Sequence, residues 1–161
     1  MENNSGIIVY TDGGCRGNPG CGGWGCVIID GEKEYKFSGG EKLTTNNRME
    51  LMAAISALNS IAKNELWKNQ HIAVYSDSQY VKNGITSWLE GWKRKNWRTS
   101  SGGAVKNKDL WIRLDEAYSK HDVTFVWVKG HNGHPENERC DELARTAASG
   151  NNRLCDEGFH P

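Results

Sequence analysis

The sequence predicts an α/β protein: a mixed β-sheet flanked by helices. Three observations carry this. The first 41 residues read as an antiparallel strand meander, the element order is βββαβα(α)αβα, and the later strands are separated by helices, so their crossovers demand parallel pairing.

The elements follow in order. IIVYT, WGCVIID and EYKFSG are the three opening strands, with Asp30-Gly31 as a tight hairpin signal between the last two. NNRMELMAAISALNSIA places Met49, Met52, Ala53, Ile55, Leu58 and Ile61 at helical spacing, which predicts a helix capped by Asn46 or Asn47. IAVYS (72–76) is a β-branched strand. SQYVKNG starts a short helix that Gly84 is expected to end, and SWLEGWKRK forms a second. NWRTSSGGAVKN is loop by composition, KDLWIRLDEAYSK an amphipathic helix, VTFVWVKG a strand, and PENERCDELARTAAS a helix with Pro135 in its first turn. Residues 1–149 are expected to form one domain, followed by an aperiodic tail, 150–161.

The chain has 161 residues and no net formal charge, which argues against a histone-like basic protein or an acidic solvating tail. The average hides a segregation. Between Lys82 and Lys108 seven cations face Glu90 alone, leaving six net positive charges there and six net negative ones in the rest. No apolar run approaches the roughly 18 residues of a membrane span, and MENNSGIIVY lacks a basic stretch followed by an apolar one. A cytoplasmic protein is expected. Cys15, Cys21, Cys26, Cys140 and Cys155 form no regular framework, so reduced thiols are the simplest reading.

Asp12, Glu50, Asp77 and Asp141 are the residues best suited to chemistry. Each has a structural explanation: an Asx turn at Asp12-Gly13, a capping box for Glu50, an N-cap for Asp77 and an Asp141–Arg145 ion pair. Together they suggest more. Asp12 and Asp77 each follow an apolar strand, and if those strands are parallel neighbours both side chains emerge at one sheet edge. Carboxylates held so close repel unless a cation lies between them. Oxygen-only ligation suits Mg²⁺ or Mn²⁺, and four carboxylates can bridge two such ions, the arrangement that activates water against a phosphodiester.

His131, between Gly130 and Gly133, could relay a proton from a loop, although a surface histidine is the commoner explanation. His134 and Cys140 lack a regular zinc spacing. GGCRGNPGCGGWG has no GK[ST] ending and precedes a strand, which disfavours ATP or NAD binding but would let a nucleic-acid backbone approach Asn18. In the basic window Trp88, Trp92 and Trp97 interleave with Lys93, Arg94, Lys95 and Arg98, the footprint expected for phosphates with aromatic contact to sugars or bases.

TDGGCRGNPG, TTNNRMELMAA, YSDSQYVKNGI, VKNKDLW and VKGHNGHPENERCDELAR, in this order and spacing, resemble the type 1 ribonuclease H family over about residues 7–149. The resemblance implies a ribonuclease H-like fold, a five-stranded mixed sheet with strands 1–3 antiparallel and helices on both faces. It implies endonucleolytic cleavage of the RNA strand of an RNA/DNA hybrid, leaving 5′-phosphate and 3′-hydroxyl ends. Asp12, Glu50, Asp77 and Asp141 fall on the family's metal-binding carboxylates, for Mg²⁺ with Mn²⁺ as an alternative and two ions in the substrate complex, and His131 on its mobile catalytic histidine. Asn18, Asn46, Asn47 and Gln79 match hybrid contacts on the RNA side. Trp88 and Trp92 match the DNA channel within a basic handle, about 82–108, that includes Lys93, Arg94 and Lys95. Thr45 and Asn107 match a pocket for a DNA phosphate, where Leu43 departs from the basic residue of some members and Lys42 is adjacent. A monomer that needs no protein or membrane partner is implied. The alternative is a hybrid-binding module of the same fold without turnover.

Overall fold

In a computed structural model of the protein, residues 6–99, 101–129 and 135–150 are described. The five-stranded sheet has the order β3-β2-β1-β4-β5, built from β1 (Ile7–Arg16), β2 (Gly20–Asp30), β3 (Lys33–Thr44), β4 (His71–Ser76) and β5 (Asp122–Trp127). β1 to β3 pair antiparallel, whereas β1–β4 and β4–β5 pair parallel, as the crossovers require.

One sheet face is covered by α1 (Asn46–Ala62), which packs against β1 and β2 and against α4 (Lys108–Ser119). The core between them holds Val9, Ile28, Leu51, Ile55, Leu58, Val74, Leu110 and Leu114, all essentially without solvent contact. Burying one such side chain contributes about 1.5–3 kcal/mol. The opposite face of β1–β3 is covered by α5 (Pro135–Ser149), over the span read from sequence. Among the described residues no helix is long and apolar enough to cross a membrane.

Three expectations need correction. The opening strands are longer than their apolar runs: the glycine-rich run is mostly paired strand, and Asp12 lies inside β1 and not beyond its end. Gly13, Gly22, Gly23 and Gly25 are there because helices press on the sheet. A Cβ on Gly23 would lie 2.1 Å from the carbonyl oxygen of Ala144, and one on Gly25 2.6 Å from Leu143. Second, α1 is capped by Thr45, whose extended backbone lets Oγ1 accept from the Arg48 N–H at 3.3 Å, and not by Asn46 or Asn47.

Third, Gly84 does not end a helix. α2 (Gln79–Asn83) runs through a π-helical turn, Gly84–Trp88, into α3 (Leu89–Arg94) without leaving helical backbone at Gly84. Gly84 is present for space, because a Cβ on it would sit 1.9 Å from the Trp111 ring.

Candidate metal centre and nucleic-acid interface

The parallel pairing of β1 with β4 ends at Thr11 opposite Ser76, so Asp12 and Asp77 are the next residue on each neighbouring strand. The Asp77 carbonyl accepts from Trp127 Nε1 at 3.2 Å, and the Ser78 N–H donates to Ser76 Oγ at 3.1 Å, which fixes the chain as it leaves the sheet. Ser78, and not Asp77, caps α2. Glu50 is the fifth residue of α1, which crosses β1 at Gly13. A Cβ on Gly13 would lie 2.4 Å from the Met49 carbonyl carbon and 2.6 Å from the Glu50 nitrogen, so this glycine is what brings Glu50 beside Asp12.

Each of Asp12, Glu50 and Asp77 offers one carboxylate oxygen within 4.8 Å of the others. Asp12 accepts from the Gly13 N–H at 3.0 Å, yet burial, with the charges of Asp77 and Asp141, pushes its carboxyl up to about 8. Burial, then Asp12 and Asp77, push Glu50 well above the carboxylate range. Glu50 Oε1 is buried without a hydrogen-bond partner among the described residues. A buried acceptor of this kind among like charges is costly by itself and is relieved by a hard cation. The donor set fits Mg²⁺ or Mn²⁺ and lacks the sulfur or imidazole that zinc favours.

Asp141, in the first half of α5, is near enough for its charge to raise the Asp12 carboxyl but stands outside the group of three. The Arg145 ion pair read from sequence is present at 2.9 Å, so Asp141 faces a cation on one side and the carboxylates on the other. Cys140, the residue before it, donates to the Tyr10 carbonyl at 3.2 Å and anchors α5 on β1. Its thiol is buried and pushed far up by desolvation, so it acts as a core residue and not as a metal ligand. His131, His134 and Cys155 lie outside the described residues. Cys15, Cys26 and Cys140 are free thiols.

The expected substrate contacts fall on the β1–β2 turn, the start of α1 and the α2–α3 segment. Asn18 Oδ1 accepts from the Asn46 N–H at 3.1 Å, tying the β1–β2 turn to the start of α1 and placing Asn18, Thr45, Asn46 and Asn47 together. Gln79 opens α2, two residues after Asp77. Trp88 is exposed, its ring 5.7 Å from Trp92, while Trp92 also packs edge-on to the buried Trp111 at 5.4 Å. Trp92 therefore touches the buried Trp111, whereas Trp88 rests at the surface on Trp92 and Tyr80. Arg94 and Lys95 are exposed, whereas Lys93 pairs with Asp115 of α4 at 3.3 Å, which draws part of its charge away from solvent. Leu43 is exposed.

One feature escaped the sequence reading. Arg48, 1% exposed, makes a two-pronged pair with Asp109, at 2.9 and 2.6 Å, and also donates to Asn107 Oδ1 at 3.2 Å. An arginine between apolar neighbours on the core side of a helix was the available signal.

The RNase H family profile matches residues 4–149. This chain belongs to the RNase H family. The ribonuclease H of Aeromonas salmonicida is 54% identical over 155 residues, which cover 96% of this chain and 97% of that one. LC9-RNase H1, described as a type 1 RNase H with the type 2 active-site motif, superposes with a TM-score of 0.81 at 32% identity, covering 98% of this chain and 80% of that one. LC11-RNase H1, solved in complex with an RNA/DNA hybrid, gives 0.69 at 26% identity, covering 89% and 96%. The five-stranded mixed sheet is thus the RNase H fold, and the carboxylate cluster lies within the matched region.

Proposed function

We propose that this protein is a ribonuclease H that hydrolyses the RNA strand of RNA/DNA hybrids with divalent metal, leaving 5′-phosphate and 3′-hydroxyl ends. The observation that carries this is the trio Asp12, Glu50 and Asp77 with its buried, unpartnered Glu50 Oε1. Asp12, Glu50, Asp77 and Asp141 would hold Mg²⁺, or Mn²⁺, with two ions in the substrate complex. When bound, such ions supply Lewis acidity that makes water a nucleophile at neutral pH and stabilises the departing oxygen.

The remaining roles belong to the chain. Asp12 and Asp77 are fixed by adjacent paired strands and Glu50 by the N-terminal part of α1, so the oxygens are held in place before substrate arrives. His131 is proposed as the proton relay. Asn18, Asn46, Asn47 and Gln79 would read 2′-hydroxyls on the RNA strand, which a DNA strand does not offer. Trp88 and Trp92 would line the DNA path, Thr45 and Asn107 would hold a DNA phosphate, and Lys93, Arg94 and Lys95 would supply counter-charge.

The test is digestion of a hybrid carrying end-labelled RNA, with Mg²⁺ or with EDTA. RNA products with 3′-hydroxyl ends are expected with Mg²⁺ and none with EDTA. Salt-dependent hybrid binding without cleavage in either Mg²⁺ or Mn²⁺ would favour a binding module instead.

A further inference from the structure

Tyr80 lies between the two elements proposed to hold the DNA strand, and no role in the reaction has been given to it so far. Its hydroxyl oxygen accepts two hydrogen bonds, from Asn107 Nδ2 at 3.0 Å and from Trp111 Nε1 at 2.9 Å. Its ring stands edge-on to Trp88 at 5.7 Å and tilted against Trp111 at 5.4 Å. One side chain thus touches both the amide of Asn107 and the exposed indole of Trp88.

The amide of Asn107 is held at both ends. The Arg48 guanidinium has only donors, so the group it meets at 3.2 Å is the amide oxygen, and Nδ2 necessarily turns to Tyr80. Arg48 is itself clamped by Asp109. Asn107 has left-handed backbone, φ 60°, and its side chain makes no capping bond to α4, although it stands at the N-cap position. The side chain is used for something other than the helix. With Oδ1 on Arg48 and one Nδ2 hydrogen on Tyr80, the amide has one donor left to offer, the second Nδ2 hydrogen. That is a donor, which a phosphate accepts; the flipped amide would offer oxygen, which a phosphate repels.

We propose that Tyr80 is a positioning residue for the DNA strand: its hydroxyl holds the Asn107 amide with a donor toward the bound phosphate, and its ring supports Trp88. This rests on the reading of Thr45 and Asn107 as the phosphate pocket. It would give the pocket a donor whose direction is fixed before binding, where Leu43 supplies no cation.

The experiment uses the full chain and hybrids that each carry one neutral methylphosphonate at a different position of the DNA strand. In the wild type, one position should raise KM with kcat little changed. Tyr80→Phe keeps the ring and removes only the acceptor. It should raise KM for the unmodified hybrid about five- to tenfold, the scale of one net hydrogen bond, and leave kcat within about twofold. It should also flatten the methylphosphonate effect at the sensitive position, and Asn107→Asp should abolish or reverse it, since its carboxylate meets Arg48, has no N–H to give and repels a charged phosphate. A wild type with no sensitive DNA phosphate would overturn the pocket and the role of Tyr80 together. A sensitive position that stays equally sensitive in Tyr80→Phe would overturn the role of Tyr80 alone, as would a fall in kcat at unchanged KM.

Discussion

Gly84 lies directly beneath the indole of Trp111, so close that a single added carbon would sit 1.9 Å from the ring. This contact seats the α2–α3 segment on α4, and with it Trp88 and the cations of the handle. Gly84→Ala must displace a fully buried indole or the helix above it. Overpacking of this kind costs about 1–3 kcal/mol. Urea unfolding should show a loss of that size, and hybrid affinity should weaken as well. Unchanged stability would mean that the segment yields freely and does not hold the handle in place.

Arg48 and Asp109 give a second prediction. Arg48 is buried and Asp109 about half exposed, so Asp109→Ala takes the Asp109 carboxylate away from a guanidinium that water reaches poorly. The expected loss is about 1–3 kcal/mol, below the range for a fully buried pair because Asp109 is partly solvated. Hydrogen bonding and the charge of Arg48 hold the Asp109 carboxyl below its usual value, so its contribution is present above the unfolded value of 3.8 and is lost as pH falls through the folded one. The stability difference between wild type and Asp109→Ala should therefore shrink in acid, below about pH 4. A difference that is constant with pH would mean the pair is not ionic in its effect.

The carboxylate trio predicts the opposite pH dependence. Asp12 rises from 3.8 to about 8 in the folded, metal-free protein, so between those values the folded state keeps a proton that the unfolded chain has released. Stability supplied by that proton is full below about pH 4 and is lost as pH rises toward 8. Since a tenfold change in proton affinity corresponds to about 1.4 kcal/mol, the effect is large enough to see. In EDTA, Tm should fall between pH 5.5 and pH 8.5. Mg²⁺ should restore it, more at the higher pH, and Asp12→Asn should flatten the profile. A flat profile in the metal-free wild type would contradict the crowding of these groups.

The handle cations should not behave alike. Arg94 and Lys95 are exposed, while Lys93 is engaged with Asp115. Replacing Arg94 and Lys95 together by Ala should lower the slope of log hybrid affinity against log salt by about 1–2, as fewer counterions are released. Lys93→Ala should change it less. Equal effects from all three would show that the Asp115 pair opens when the hybrid binds.

Much of this was legible in the sequence, and the limits have physical causes. Helical periodicity located α1, α4 and α5 because each buries one face against the sheet. Asp12 and Asp77 could be placed together because both follow apolar strand runs. The strand continuation through Gly13–Gly25 was hidden because glycine signals a loop, whereas here it marks where α1 and α5 press on the sheet. The π-helical turn at Gly84–Trp88 has no local signature, and the contact that demands glycine at its start comes from Trp111, distant in sequence. The Arg48, Asn107 and Tyr80 network joins three separate segments, and no spacing rule connects them.

The central claim is that Asp12, Glu50 and Asp77 form a metal centre that cuts RNA paired to DNA. The most direct measurement is initial cleavage rate on labelled RNA/DNA hybrid in Mg²⁺ for the wild type, Asp12→Asn, Glu50→Gln and Asp77→Asn, with RNA/RNA and DNA/DNA duplexes as controls. Each variant removes one carboxylate oxygen charge with little change of volume. The account predicts hybrid-only cleavage by the wild type and a loss of at least about a hundredfold, about 2.7 kcal/mol, in each folded variant. Undiminished cleavage in any of the three, or wild-type cleavage of the control duplexes at the hybrid rate, would contradict it.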